Sequence, residues 1–305
     1  MTATEPSIPP AASSGIAERQ NQPAHMQRLL AYSHLYAVAQ RSRRARAFGT
    51  LLLAAVAPIV VIFLPSASDL LAAISAGWLV LGRTVLAWLE EHAVLEAVRV
   101  HELYDTRLFR IPWNAAIAGR EPAPEDVADA AAHITDDAPY RDWYSIDLGT
   151  TPWPADVLLC QRQSMIWSRS DHRAYGRTIL ITGLLWLLIG IAVGLAKDLS
   201  LADYLIKIFL PSSPALLDST ELARAHWQHA TKRKQAEQDI QDLWDAHRTA
   251  PETLAPADCR RIQDAAYLLR RDGPRVPSFF YKLRRNRTAA STAAGAAAVL
   301  AGSED

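Results

Sequence analysis

Guanidinium, amide and aromatic side chains occur together at high density in three stretches, RDWY at 141–144, CQRQSMIW at 160–167 and RRIQD at 260–264. Arginine binds phosphate through paired N–H donors, while amides and aromatic rings recognise bases by hydrogen bonding and stacking. The three stretches therefore predict a site for an anionic nucleotide. Its candidate residues are Trp143, Tyr144, Gln161, Arg162, Arg260, Arg261, Gln263 and Tyr267.

Two interpretations of these residues stay open at the level of sequence. In the first, Arg162 and Arg261 contact phosphates, and Trp143 or Tyr267 stacks against a base. In the second, the same arginines form a basic belt that faces anionic lipid beside a membrane.

No enzyme signature accompanies these residues. The sequence has no Walker motif and no GxGxxG, HExxH or GxSxG pattern. His226 and His229 stand three apart but lack an acidic or cysteine partner at ligand spacing, so they are interpreted as surface histidines of a helix. Cys160 lies within an apolar helix face and is interpreted as a packing residue. The sequence predicts a protein that is not an enzyme and holds no cofactor or metal.

Charged residues are balanced overall but strongly segregated along the chain. Lys+Arg and Asp+Glu both number 32 in 305 residues, which argues against a binder of DNA or RNA polymers. Residues 48–64 and 178–196 contain no charged side chain, and residues 70–89 contain only Arg83. Runs of about 20 apolar residues are long enough to cross a bilayer as helices. These three runs predict membrane spans.

A fourth span is predicted at residues 199–217, although a soluble amphipathic helix fits this stretch too. The membrane interpretation is favoured because only the short Lys197–Asp198 turn separates it from the third span. Asp203 and Lys207 lie four residues apart and are expected to pair on one helix face. Pro211 and Pro214 are expected to break or kink the helix.

Together with Arg83, these four residues are predicted to form the polar face of a conduit. Arg83 has an alternative, in which it extends toward Glu90 and Glu91 at the membrane interface. A further alternative is that the three charges are all interfacial, because the spans are shorter than drawn.

Positive charge predicts the orientation. Arg41, Arg43, Arg44 and Arg46 precede the first span, whereas the link between the first two spans has no Lys or Arg. The positive-inside rule then places both termini and residues 90–175 of this multi-pass chain together in the cytoplasm. The predicted fold is an all-α membrane protein: two transmembrane helical hairpins, with a helical cytoplasmic domain formed by the N-terminal, central and C-terminal soluble segments.

The predicted order of segments follows from these spans. It is a disordered N-terminus (1–18), an N-terminal helix (19–47), hairpin 1 (48–89), a central region (90–177), hairpin 2 (178–217), a C-terminal helical region (218–286) and a disordered tail (287–305). Within the soluble parts, Asp156 is predicted to cap a helix over 157–175, and Asp218 or Ser219 to cap one over 218–247. A further helix is predicted from Pro256 to Arg271.

Four stretches of the sequence resemble the bacterial four-span SMODS-associated effectors, the S-4TM family. They are QNQPAHMQRLLAYSHLYAVAQRSRRAR, RDWYSIDLGTTPWPADVLLCQRQSMIWSRSDHRAYG, LPSSPALLD and RRIQDAAYLLRRDGPRVPSFFYKLRR. The resemblance covers roughly residues 20–287, and it rests on the combination, since no single motif is a catalytic fingerprint. Arg83 and the AASTAAGAAAVL tail are not family features.

The resemblance implies a membrane effector of cyclic-oligonucleotide anti-phage signalling. Such an effector recognises a cyclic di- or trinucleotide messenger made by a partner nucleotidyltransferase. It assembles as a homo-oligomer in the lipid bilayer and forms a pore there, which leads to abortive infection. The alternatives are a housekeeping small channel or transporter subunit, and a membrane scaffold.

The predicted topology is tested by cysteine labelling from the periplasm. Ala67→Cys and Asp198→Cys lie in the predicted outer links and should react with a membrane-impermeant thiol reagent. Ala130→Cys lies in the central region and should stay unlabelled in intact cells. Labelling of residue 130 in intact cells would overturn the arrangement.

Overall fold

The computed structural model describes residues 15–281 and 283–284, and this part of the chain contains helices and loops but no strand. The predicted disordered segments fall largely on residues 1–14 and 287–305, which lie outside the described residues. The prediction is wrong at residues 15–18. Ile16–Arg19 form a helical turn, and Ile16 is fully buried in the main core. Burial of that side chain orders the turn although no helical pattern precedes it.

Four long helices and two shorter ones account for most of the described chain. The long helices are α1 (Pro23–Phe63), α2 (Ser68–Phe109), α4 (Ala155–Ala196) and α5 (residues 201–249); the shorter ones are α3 (Pro124–Ala132) and α6 (Pro256–Arg271). The end of α6 at Arg271 agrees with the sequence prediction. The parts of the long helices outside the apolar runs pack with α3, α6 and the loops into one body, here called the helical body.

Each long helix runs without a break from its apolar part into the helical body. The predicted segments 19–47 and 48–64 are therefore one helix, α1. Both predicted caps are wrong, because each aspartate lies within a helix that begins before it. Asp156 lies inside the first turn of α4, where its carboxylate accepts a hydrogen bond from the N–H of Val157 at 2.7 Å. Asp218 lies inside α5 and pairs with Arg83, because helical hydrogen bonding already continues through it.

Three of these helices, α1, α2 and α4, are long and apolar enough to cross a membrane. The apolar part of α5 is less hydrophobic, because Asp203, Lys207 and two prolines interrupt it. Its packing nevertheless places it beside the third span.

A row of glycines on α4, the glycine seam, lets α5 approach closely. Gly176, Gly183, Gly190 and Gly194 recur at heptad-like spacing along one face. Small residues in such rows are typical of contacts between membrane helices. A Cβ atom at these positions would lie 2.9 Å from Trp227, 3.4 Å from Ser219, 3.2 Å from Ile208 and 2.9 Å from Tyr204, respectively. The helix α5 therefore follows α4 along the whole apolar length of α4.

The apolar parts of α1, α2, α4 and α5 are here called the bundle. An ion pair lies near each of its ends. Asp203 and Lys207 pair at 2.7 Å near the start of α5, as the sequence predicts. Arg83 pairs with Asp218 at 2.6 Å, so the predicted contact with Glu90 and Glu91 is wrong. Glu90 is held instead by Arg46 at 2.9 Å. Arg83 follows Gly82, whose position faces the Arg46 side chain next to the helical body. There, Asp218 of α5 is within reach of the Arg83 guanidinium.

The prolines do not break α5, so the predicted break is wrong, and the predicted kink stays a prediction. The five-residue π-helical turn Leu205–Phe209 ends two residues before Pro211 and accommodates the missing N–H of the proline and its ring within a continuous helix. A groove of about 380 Å³ runs between α1, α2 and α5. Its lining includes both prolines and the polar side chains of Thr50, Ser68, Ser75 and Asp218.

The glycine seam is tested by adding a side chain to it. Gly194→Val should lower the unfolding free energy by about 1–3 kcal/mol, because the new Cβ lies 2.9 Å from the Tyr204 ring. Gly77→Val is the matched control, since no atom lies within 4 Å of a Cβ at that position of α2. Equal thermal unfolding midpoints in detergent for the two variants would contradict close packing of α5 on α4.

Candidate functional site

Two buried carboxylates on α2, Glu102 and Asp105, lie at the centre of the helical body. Their exposed fractions are 1% and 0%. They form what is here called the carboxylate network. The donors to Glu102 are Arg260 at 2.6 Å and Gln263 at 2.8 Å; those to Asp105 are Gln263 at 2.9 Å, Arg270 at 2.6 Å and the hydroxyl of Tyr144 at 3.0 Å.

The carboxylate network brings together four residues of the predicted nucleotide site: Tyr144, Gln161, Arg260 and Gln263. Gln161 joins it by donating to Gln263 Oε1 at 3.2 Å and to the carbonyl of Cys259 at 2.8 Å. These donors are already bound by protein acceptors, which fastens α6 and the 140–150 loop to α2. Contact of these four residues with a nucleotide stays a prediction.

Electrostatics agree with a closed network. Burial raises the pKa of Asp105, but Arg270, His101 and the Gln263 amide outweigh burial, so the pKa lies below its usual range. Burial dominates at Glu102 and raises its pKa in spite of Arg260 and Gln263. Removing one partner of such a buried pair leaves an uncompensated charge, which is strongly destabilising.

The other four predicted site residues lie in separate surroundings. Trp143 is half-buried, with its ring edge-to-face against Tyr32 at 6.3 Å. Tyr267 is buried in a second small core beside Arg99. Arg162 is half-buried near Glu237, and Arg261 is exposed and pairs with Asp258 at 3.2 Å. The contacts described here do not join these four residues into one site.

A set of three arginines that the sequence prediction missed lies where the helical body meets the bundle. It consists of Arg43 on α1, Arg233 on α5 and Arg275 after α6, and is here called the basic cluster. Arg43 donates to the backbone carbonyl of Arg275. Arg233 donates to the carbonyls of His229 at 3.3 Å and Leu269 at 3.2 Å.

Among the described residues, the basic cluster has no carboxylate in direct contact, although the charge of Glu90 acts on Arg43 and Arg275 from farther away. Arg275 lies over the Tyr36 ring at 5.2 Å. Within the described residues, the basic cluster makes no ion pair with a carboxylate at 4.0 Å or less. Burial, followed by the charges of Arg275 and Arg270, lowers the pKa of Arg233 to about 9.

Three histidines lie beside the basic cluster. The Nδ1 atoms of His172 and His226 are 2.9 Å apart, and the His172 and His229 rings are stacked at 6.2 Å. His226 is fully buried, which corrects its interpretation as a surface histidine, because α5 turns that face toward α4. Within the described residues, no group of three or more His, Cys, Asp or Glu side chains is placed to hold a metal ion.

The residues after α6 cover the basic cluster. This segment, here called the C-terminal strap, comprises residues 274–281 and 283–284. The N–H of Ser278 donates to Gln40 at 3.1 Å, Phe280 packs edge-on against Tyr175 at 5.1 Å, and Arg284 donates to Asp171 at 3.2 Å. The C-terminal strap thereby joins α1 and α4 next to the bundle.

No single sequence pattern links the residues of the basic cluster. Arg43 belongs to the basic run before the first span, and Arg275 follows the Gly273–Pro274 stop of α6. Arg233 is one of several charged residues in a polar stretch. Only the packing of α1, α5 and the C-terminal strap brings the three together.

Comparison with known proteins adds a family assignment. Residues 14–299 match the family described as "SMODS-associating 4TM effector domain". The chain belongs to this family. A protein of Bacillus cereus (strain VD146), named as a probable CBASS effector molecule, is 26% identical over 201 residues, which cover 65% of this chain and 67% of that protein. No solved structure matches the chain.

The histidines of this family member predict acid sensitivity. Burial, followed by neighbouring arginines, lowers the pKa of His226 to about 3 and takes that of His172 well below its usual range. The unfolded chain binds these protons at the ordinary pKa of about 6.5, so stability is complete above that pH and declines below it. The groups around the two rings are Arg43, Tyr175, His229, Arg233 and Arg275.

The unfolding free energy is expected to fall between pH 7 and pH 5, by at most about 1.4 kcal/mol per pH unit for each of the two histidines. Replacing both, in His172→Asn/His226→Asn, should reduce the pH dependence measured by chemical denaturation, and the rest is expected from His25, His101 and His229, whose pKa values burial also lowers. His92→Asn, at an exposed histidine, should keep the wild-type slope. A double variant as pH-dependent as the wild type would show that these histidines do not cause the loss.

Proposed function

We propose that the chain is a membrane effector of bacterial anti-phage defence that senses a cyclic oligonucleotide messenger and permeabilises the inner membrane. Membership of the effector family supports the defence role, as does the name of the Bacillus relative as a probable CBASS effector. In this proposal a partner nucleotidyltransferase makes the messenger, and the effector acts as a homo-oligomer without catalysis.

The continuity of the long helices is the observation that carries the proposal. The helices α1, α2, α4 and α5 each extend from the bundle into the helical body without a break. A ligand that moves these helices in the helical body therefore also displaces their apolar parts. Rigid helices transmit such shifts over tens of ångströms, which couples sensing to a change in the membrane.

The proposed conduit involves α5 and the groove beside it. The groove is lined mainly by apolar side chains, among which lie both prolines and Thr50, Ser68, Ser75 and Asp218; Arg83, Asp203 and Lys207 are not part of its lining. Irregular backbone and polar side chains at membrane depth are tolerated beside protein or a water-filled cavity. In the proposal, messenger binding rearranges protomers so that the polar face with Arg83, Asp203, Lys207, Pro211 and Pro214 turns toward a shared aqueous path.

The proposed function is tested by dye influx into proteoliposomes titrated with cyclic di- and trinucleotides. The wild-type protein should admit dye with at least one of them and remain closed without it. Conductance without any nucleotide would favour a housekeeping channel, and no influx under any condition would favour a scaffold.

The same assay tests the conduit. The double variant Asp203→Leu/Lys207→Ile removes from α5 an ion pair whose atoms are 2.7 Å apart. It should lose dye influx and toxicity. It should still bind nucleotide and reach the membrane. Its matched control is Asp137→Leu/Arg141→Ile, an ion pair of the same spacing and distance outside the spans. Undiminished influx in the α5 variant would show that this face does not line the opening.

A further inference from the structure

The basic cluster differs from two other arginines of the helical body in having no carboxylate in direct contact. Arg260 and Arg270 each lie 2.6 Å from a buried carboxylate oxygen. Arg43 and Arg233 are held by backbone carbonyls, and Arg275 by the ring and hydroxyl of Tyr36. Glu90 acts on Arg43 and Arg275 only from beyond 4.0 Å. Arg233 is buried, whereas Arg43 and Arg275 are half-buried. Charges removed from water without a close partner are costly, so three of them side by side suit an anion.

Unsatisfied donors surround the same place. Nε and Nη2 of Arg275 are buried and make no hydrogen bond, and the same holds for Nε2 of His226 and Nδ1 of His229. Single nitrogens without a partner occur elsewhere among the described residues, as at Nε of Arg260, but here four of them lie beside three cations. Guanidinium and imidazole N–H groups fit an acceptor with several oxygens, and phosphate is the common biological group of that kind.

We propose that the basic cluster binds a phosphodiester anion. The arginines supply the charge, the neutral histidines donate further hydrogen bonds, and the C-terminal strap contributes Arg275. Because the donors are buried, the anion enters when the C-terminal strap lifts from α1 and α4. That the anion belongs to a cyclic oligonucleotide rests on the proposed function. An anionic lipid headgroup carries the same phosphodiester group, and it would lie at the level where the helical body meets the bundle.

The position of the basic cluster gives binding a consequence. Arg43 lies a few residues before the first span, and Arg233 lies on the helix that forms the proposed conduit. An anion between them attracts α1, α5 and the C-terminal strap at once. Binding there therefore acts on two membrane helices directly, at the end where they enter the bundle.

The test compares Arg275→Met and Arg233→Met with Arg261→Met. Arg275→Met leaves intact the hydrogen bond from Arg43, because that bond ends on the backbone carbonyl of residue 275. Arg261 is exposed and is a phosphate candidate from sequence, so the comparison separates the two possible sites. The probes are cyclic di-GMP, cyclic di-AMP and cyclic tri-AMP on protein in neutral detergent. Nanodiscs of phosphatidylglycerol or of phosphatidylcholine test the lipid source.

The proposal expects a probe to bind the wild type, with the affinity reduced about tenfold to a hundredfold in Arg275→Met and Arg233→Met and unchanged in Arg261→Met. Without probe, Arg275→Met should unfold at the wild-type temperature or above it, because a desolvated guanidinium with no carboxylate in contact is removed. A purely structural arginine would instead lower that temperature.

The outcomes separate the site from the function. Nucleotide binding that survives Arg275→Met and Arg233→Met overturns the site and leaves the proposed function standing. Stabilisation by phosphatidylglycerol only, lost in Arg275→Met, supports the phosphodiester site and contradicts messenger sensing by it. A wild type that responds to none of the probes overturns the inference.

Discussion

The carboxylates of Glu102 and Asp105 are the interaction on which the helical body depends. They lie fully inside the protein on α2, and each is paired with an arginine from α6 at 2.6 Å. Ions removed from water are stable only with close partners and further hydrogen bonds, and Gln263 and Tyr144 provide those bonds. The register of α6 against α2 is thereby set, and the strap that follows α6 is directed toward the bundle.

This pairing leaves the neighbouring arginines without partners. The carboxylates of the core are occupied by Arg260 and Arg270, and Glu90 is occupied by Arg46. Arg43, Arg233 and Arg275 therefore meet with carbonyls and the Tyr36 side chain as their direct contacts, and Glu90 acts on two of them from farther away. Neutral histidines beside them add no further charge. One region of the body is thus closed and compensated, and the adjacent region has excess positive charge next to the membrane helices.

The bundle combines close helix packing with two π-helical turns, at which the helical hydrogen bonding is irregular. The glycine seam holds α5 against α4, so these two helices move together. Each of α2 and α5 also contains a π-helical turn, Gly82–Leu86 and Leu205–Phe209, and each turn carries a basic residue. Such turns occur often at functional sites, because one loosened turn lets a helix shift without unfolding. They are the places where α2 and α5 can adjust to a change in the body.

The sequence by itself determined the helical class, three apolar spans, the Asp203–Lys207 pair, the extent of α6 and the resemblance to the effector family. These features are local: they follow from hydropathy, from spacing along one helix and from stop signals. The tertiary structure decided which guanidinium groups meet carboxylates and which do not. The structure shows that Arg260 and Gln263, predicted as ligand contacts, bind Glu102 and Asp105, which sequence alone could not place opposite them. Arg43, Arg233 and Arg275 had no common pattern, since residues so far apart meet only when helices from different parts of the chain pack together.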